Sequence, residues 1–125
     1  MKTNLILVII ASSVILLQCG KKEFYSYSED VKPILEDNCY ECHVGDNPLG
    51  KINFENYNLL FNGKYFDKEW PVVIAGKSTE SRLYLVVNSN NKGIRMPPEN
   101  LGYDKIDEDE ISIIKEWIDA GAKNN

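Results

Sequence analysis

The sequence predicts a small all-α domain of three to five helices. Three observations carry that expectation. Apolar residues recur at helical spacing in several separate stretches. Capping or stop residues bracket those stretches, and no clear pair of strand signals competes with them. Of the 125 residues, positions 1–18 read as a removable leader, 19–27 as a tether and 28–125 as one folded domain.

The leader opens with Lys2 and continues as an apolar run from Leu5 to Leu17, interrupted by Ser12 and Ser13. A run of that length spans roughly 20 Å as a helix, short of the ~30 Å hydrocarbon core of a bilayer. It therefore reads as the apolar region of an export signal. It ends Leu16-Leu17-Gln18-Cys19-Gly20, which resembles the lipobox of bacterial lipoproteins. On that resemblance Cys19 becomes the lipidated mature N-terminus, and the domain is tied to a lipid membrane, in the periplasm or at the cell surface. The alternative is an ordinary signal peptide with a bystander cysteine. Export also implies an oxidising compartment.

The formal charge of the whole chain is −5. So acidic a chain does not suit nucleic acid, which is bound through clustered Lys and Arg. Apolar residues make up 43% of the chain but are over-represented in the leader. The domain itself has a lean core for its size, so a non-protein component is expected to help fill it.

Ser28 is the expected N-cap of the first helix, with Glu29 and Asp30 in its first turn and Pro33 near its start. Val31, Ile34 and Leu35 form its apolar stripe, and it should run to about Cys39. Residues 44–52 read as loop. A second helix is expected from Asn53, with Phe54, Tyr57, Leu60 and Phe61 on one face and Gly63 as its stop. Residues 64–77, including Trp70, read as irregular. Ser78-Thr79-Glu80-Ser81 looks like a cap for a helix over 79–88, although Tyr84-Leu85-Val86-Val87 also has strand propensity. Residues 88–103 read as a polar loop rich in Gly and Pro. The last helix starts at the acidic run Asp107-Glu108-Asp109-Glu110, buries Ile111, Ile114, Trp117 and Ile118, and stops at Gly121.

Cys39-Tyr40-Glu41-Cys42-His43 has the C-x-x-C-H spacing of covalent c-type haem attachment. Two thiols three residues apart lie on one side of a helical turn and can reach two vinyl groups of one porphyrin. The adjacent imidazole then faces the iron. A structural zinc site would need a fourth ligand. A thioredoxin-like pair would need a βαβ setting, and a plain disulfide would close too small a loop to stabilise much. The expected cofactor is one haem c, joined through Cys39 and Cys42.

His43 is the single histidine, and Met96 is the one methionine besides Met1. Met96 is therefore the candidate second axial ligand, set in the Pro-flanked run Met96-Pro97-Pro98, and His/Met ligation suits electron transfer. The other reading of Met96 is core filling. His43 should donate its Nδ1–H to a carbonyl, with Pro48 as the nearest candidate by sequence. Arg95 and Lys77 could pair with haem propionates or simply be exposed charges. Trp70 and Trp117 read as core, and Tyr40 and Glu41 as exposed.

Several segments together resemble one family, the planctomycete-type cytochrome c domain. They are Val31-Lys32-Pro33-Ile34-Leu35 with the C-x-x-C-H run, Ile52 to Gly63, Ala75 to Tyr84, Met96-Pro97-Pro98 and Glu110 to Ala122. The resemblance spans about residues 31–122. It implies a class I-like, all-α cytochrome c fold with His43 and Met96 as axial ligands. This chain departs from the family at Val44, where Gly is common after the histidine, and at Ala75, where Pro is common before Gly76.

The function expected is thus a one-electron carrier rather than an enzyme, working with redox partner proteins. Two rivals remain. One is a haem enzyme or sensor with an open sixth position, although a distal histidine is missing for peroxidase-like chemistry. The other is a haem-free lipoprotein acting as a binding module.

Overall fold

The computed structural model describes residues 24–62, 64–65, 68–69 and 71–125, with side chains for all of these except 64, 65, 68 and 69. The leader, Cys19, the first part of the tether, Gly63 and Trp70 lie outside the described residues.

The chain enters its first helix earlier than expected. Ser26, not Ser28, is the cap: its hydroxyl accepts the Glu29 N–H at 3.3 Å, while Asp30 accepts the Ser26 N–H at 2.6 Å. The first turn, Tyr27–Val31, is wide, with the Val31 N–H reaching back five residues to the Ser26 carbonyl. Ser28 is engaged elsewhere, donating its hydroxyl to the Asn125 carbonyl at 2.7 Å. Helix α1 (Lys32–Asn38) follows directly and has Pro33 in its first turn, where its missing N–H costs nothing.

At Cys39 the backbone leaves helical geometry, and a single further turn forms α2 (Tyr40–His43). The expected second helix does not form. Asn53 accepts the Glu55 N–H at 2.7 Å, two residues on, which is a turn rather than a helix cap. Of the expected segment only a 3-10 turn, Tyr57–Leu60, is helical. Tertiary anchors hold it instead: Phe54 and Leu60 are buried, and the Tyr57 hydroxyl donates to the Ala122 carbonyl at 2.7 Å.

Strands β1 (Lys64–Tyr65) and β2 (Lys68–Glu69) make one short antiparallel pair, with Lys64 opposite Glu69. This ladder is too short to alter the helical character of the fold. Residues 82–87 resolve the ambiguity between helix and strand as α3 (Arg82–Val87), preceded by a 3-10 turn at Ser78–Glu80. The Ser81 side chain does not cap α3. It is fully buried, accepting the Ile74 N–H at 2.9 Å and donating to the Lys77 carbonyl at 2.8 Å, so it ties the preceding turn to the start of the helix.

Helix α4 (Glu108–Asp119) forms as the sequence predicts, with an Asp107/Glu110 capping box. Gly121, at φ 103°, turns the chain out of it, as a C-terminal glycine does. Ile111, Ile114, Trp117 and Ile118 face inward, each contributing roughly 1.5–3 kcal/mol through burial. They join Tyr27, Val31 and Leu35 from the N-terminal helix and Leu83 and Val87 from α3 in one apolar cluster. Trp117 belongs to this core, its indole N–H donating to the Lys123 carbonyl at 3.0 Å. The cluster includes no residue between Val87 and Ile106, so the Met96 segment lies outside it.

Candidate functional site

Residues from α2, the 49–54 loop, α3 and the 96–103 loop enclose a cavity of about 360 Å³. Its wall includes Cys39, Cys42, His43 and Met96. Leu83, Val86 and Val87 supply apolar surface from α3.

The thiols and the imidazole are set by the break between α1 and α2. The Cys39 N–H still bonds the Leu35 carbonyl at 2.9 Å, ending α1. The Cys39 carbonyl then accepts the N–H groups of Cys42 at 3.2 Å and His43 at 3.0 Å, which winds the motif into its own turn. Both cysteines are free thiols and half-buried. Burial, helped by the nearby Glu110 and Cys42, pushes the Cys39 thiol up to about 12. A thiol so strongly held in its protonated form lacks the low-pKa character of a catalytic redox pair.

His43 is fixed on two sides. Its Nδ1 lies 3.2 Å from the Ile52 carbonyl, and because a carbonyl only accepts, Nδ1 carries the hydrogen. The acceptor expected from sequence, Pro48, is replaced by Ile52 because the Phe54 N–H bonds the His43 carbonyl at 2.8 Å and draws residues 52–54 alongside the histidine. The Phe54 ring meets the imidazole edge-on at 5.3 Å. Desolvation lowers the His43 pKa against the opposing pull of the Ile52 and Leu49 carbonyls, so the ring is neutral at pH 7. With Nδ1 protonated, Nε2 carries the lone pair that can bind a metal.

Met96 sits at the rim, 38% exposed. Its N–H donates to the Val86 carbonyl at 3.1 Å, which joins the loop to the end of α3.

Of the two alternatives the sequence left for Lys77 and Arg95, Lys77 takes the exposed one and Arg95 takes neither. Lys77 is exposed and paired with Glu80 at 3.2 Å. Arg95 is not part of the cavity wall. Its guanidinium donates to the Pro97 and Tyr103 carbonyls. Arg82, which sequence reasoning passed over, does line the cavity. Its signal was present in Ser81-Arg82-Leu83-Tyr84, where a helix that buries Leu83 places the preceding residue beside the core edge. Tyr103 also lines the wall, and its phenol pKa is raised first by a hydrogen bond to Glu41 and then by burial. As one of seven tyrosines, it had no distinguishing sequence signal. Glu41 is exposed as expected. Tyr40 is half-buried against the core, its hydroxyl without a hydrogen-bond partner among the described residues.

The donor chemistry fits a haem. Two thiols, a neutral imidazole and a thioether share one largely apolar cavity, whereas a structural zinc ion would call for four converging donors. A small helical fold whose C-x-x-C-H segment lines such a cavity is that of a c-type cytochrome. More narrowly, the chain carries a domain of the planctomycete cytochrome c family, whose model, described as Planctomycete cytochrome C, matches residues 39–100. The match covers α2, α3 and the Met96 loop and stops before α4. No curated protein and no solved structure matches the chain.

Proposed function

We propose that this protein is a monohaem c-type cytochrome that carries single electrons outside the cytoplasm, anchored to a bacterial membrane through lipid on Cys19. The observation that carries the reading is that Cys39, Cys42, His43 and Met96 line one cavity although more than fifty residues of chain separate the first three from the last.

Haem, when bound, supplies an Fe(III)/Fe(II) couple. The chain's own residues do the rest. Cys39 and Cys42 would hold the haem covalently, one thioether to each of its two vinyl groups. The Ile52 carbonyl orients His43 so that Nε2 is the ligating atom, and hydrogen bonding at Nδ1 raises its basicity as a ligand. Met96 would hold the iron through a neutral thioether, a donor that favours the reduced state and so raises the potential. Leu83, Val86 and Val87 exclude water from the cavity. Arg82 is the wall residue suited to a haem carboxylate, since a guanidinium matches that group in charge and geometry. The apolar leader and the Leu16-Leu17-Gln18-Cys19 segment support export and lipidation. An acidic chain suits redox partner proteins with basic docking faces, and their association would then slow with added salt.

The test is expression of the full chain together with haem-attachment machinery. A haem-stained denaturing gel should show a covalent band that is lost in Cys39→Ser with Cys42→Ser. The ferric spectrum should be low-spin, and Met96→Ala should convert it toward high-spin. A colourless protein would overturn the reading in favour of a haem-free lipoprotein module. A wild-type ferric spectrum that is high-spin and binds small ligands would overturn it in favour of a haem enzyme or sensor. Cys19→Ser should move the protein from the membrane to the soluble fraction.

A further inference from the structure

Met96 lies at an exposed rim, in a segment that adds no residue to the central apolar cluster, although Pro97 beside it is buried. Ile94 and Leu101, to either side, are 55% and 61% exposed. Between it and α4 the regular structure is a single 3-10 turn at Glu99–Leu101. A neutral thioether bonds iron weakly unless its position is fixed in advance, so something must hold this loop.

We infer that Arg95 is the positioning residue that clamps the Met96 loop against the cavity, an inference that rests on the reading of Met96 as an axial ligand. The Arg95 side chain is only 12% exposed. Its Nε donates to the Pro97 carbonyl at 3.3 Å and its Nη2 to the Tyr103 carbonyl at 2.9 Å. The same Nη2 lies 4.0 Å from a Glu99 carboxylate oxygen that has no hydrogen-bond partner among the described residues. The other Glu99 oxygen accepts from Lys92 at 2.6 Å. One planar group therefore joins residues 95, 97, 99 and 103, which closes the loop carrying Met96 and the cavity residues Pro97, Pro98 and Tyr103. The Arg95 N–H, bonded to the Asn91 carbonyl at 2.9 Å, fixes the base of the clamp.

The shape of the group matters. A guanidinium presents donors in a rigid fork and reaches two carbonyls on different sides of the loop, whereas a lysine ammonium is a point charge on a flexible stem. Loss of the clamp leaves the Pro97 and Tyr103 carbonyls without their shared donor and removes the cation that lies 4.0 Å from the Glu99 carboxylate. Because the core lies elsewhere, this loosening acts on the loop and not on the fold. The consequence is a larger fraction of molecules whose Met96 is off the iron. Apparent affinity for an external ligand rises in proportion to that fraction.

The test uses the full-length ferric holoprotein and imidazole as the competing ligand. Arg95→Gln should bind imidazole roughly tenfold more tightly than wild type. Arg95→Lys should fall between the two, and the thermal midpoint of the helical signal should stay close to wild type. Met96→Ala serves as the fully open reference. Imidazole affinity of Arg95→Gln within about twofold of wild type, with Met96→Ala binding readily, would overturn the clamp and leave the ligand assignment standing. Met96→Ala with wild-type spectrum and affinity would overturn both. Should Arg95→Gln not accumulate as holoprotein, Arg95→Lys carries the same test, and unchanged affinity there counts against the clamp.

Discussion

Replacing Ser81 by alanine should destabilise the domain far more than the loss of one oxygen suggests. The hydroxyl is fully buried, accepts the Ile74 N–H at 2.9 Å and donates to the Lys77 carbonyl at 2.8 Å. Alanine removes both bonds and brings no replacement. The orphaned N–H costs about 1–3 kcal/mol in lost solvation, and the lost donated bond about 0.5–1.5 kcal/mol. The sum, roughly 3 kcal/mol, is a large part of the 5–15 kcal/mol that holds an ordinary domain together. The turn concerned also sets where α3 begins, and so where Leu83 and Val86 meet the cavity and where the Val86 carbonyl meets Met96. Urea unfolding of the holoprotein, followed by far-ultraviolet circular dichroism, measures the difference. Thr79→Ala, two residues away and exposed, is the control and should change stability by less than about 0.5 kcal/mol. A Ser81→Ala loss as small as the control's would refute the reasoning, since it would mean that water replaces the hydroxyl at no cost.

Three further outcomes follow from two groups, one buried and one charged. The Tyr27 hydroxyl has no hydrogen-bond partner among the described residues, so Tyr27→Phe should raise stability by about 1 kcal/mol in the same urea experiment. Burial, with nearby Tyr40 and Glu36, also pushes the Tyr27 pKa up to about 12. Below the unfolded value near 10, both states hold the proton and stability is constant. As pH rises from there toward 12, only the unfolded chain loses it, so stability falls, and Tyr27→Phe should flatten that alkaline decline. Arg82→Gln should lower the reduction potential in a spectroelectrochemical titration, because a cation in the cavity wall favours the iron state with less positive charge. An unchanged potential would place the guanidinium too far from the iron to matter.

The parts of this fold that were legible in sequence are those governed by local pattern. Helix α4 carries its cap, its apolar stripe and its glycine stop within 15 contiguous residues, 107–121. The C-x-x-C-H turn is likewise self-contained. What was not legible depends on partners distant in sequence. The stretch from Phe54 to Phe61 has helical spacing, yet Phe54 is drawn toward His43 and Tyr57 toward Ala122, and a helix that short cannot outbid such anchors. The acceptor for His43 was misplaced for the same reason. Pro48 is nearer in sequence, but the His43–Phe54 backbone bond brings Ile52 nearer in space. Ser28 was read as the cap, but it is the Ser26 hydroxyl that accepts the Glu29 N–H, while the Ser28 hydroxyl is directed to the distant Asn125 carbonyl. Arg95 was read either as a partner for a haem propionate or as an exposed charge, and carbonyls of its own loop claim it instead.

The attachment of Ser26 and Ser28 to Asn125 has a mechanical meaning. The Asn125 carbonyl receives the Ser26 hydroxyl at 2.6 Å and the Ser28 N–H at 3.1 Å, while its side chain receives the Tyr27 N–H at 3.3 Å. Force applied to the chain before Ser26 therefore reaches the segment after α4 directly, without first passing along α1. These bonds share the load instead of breaking in sequence. A domain tugged at its N-terminal end would resist as a knot of both termini, leaving the short turn that carries Cys39, Cys42 and His43 shielded from the pull.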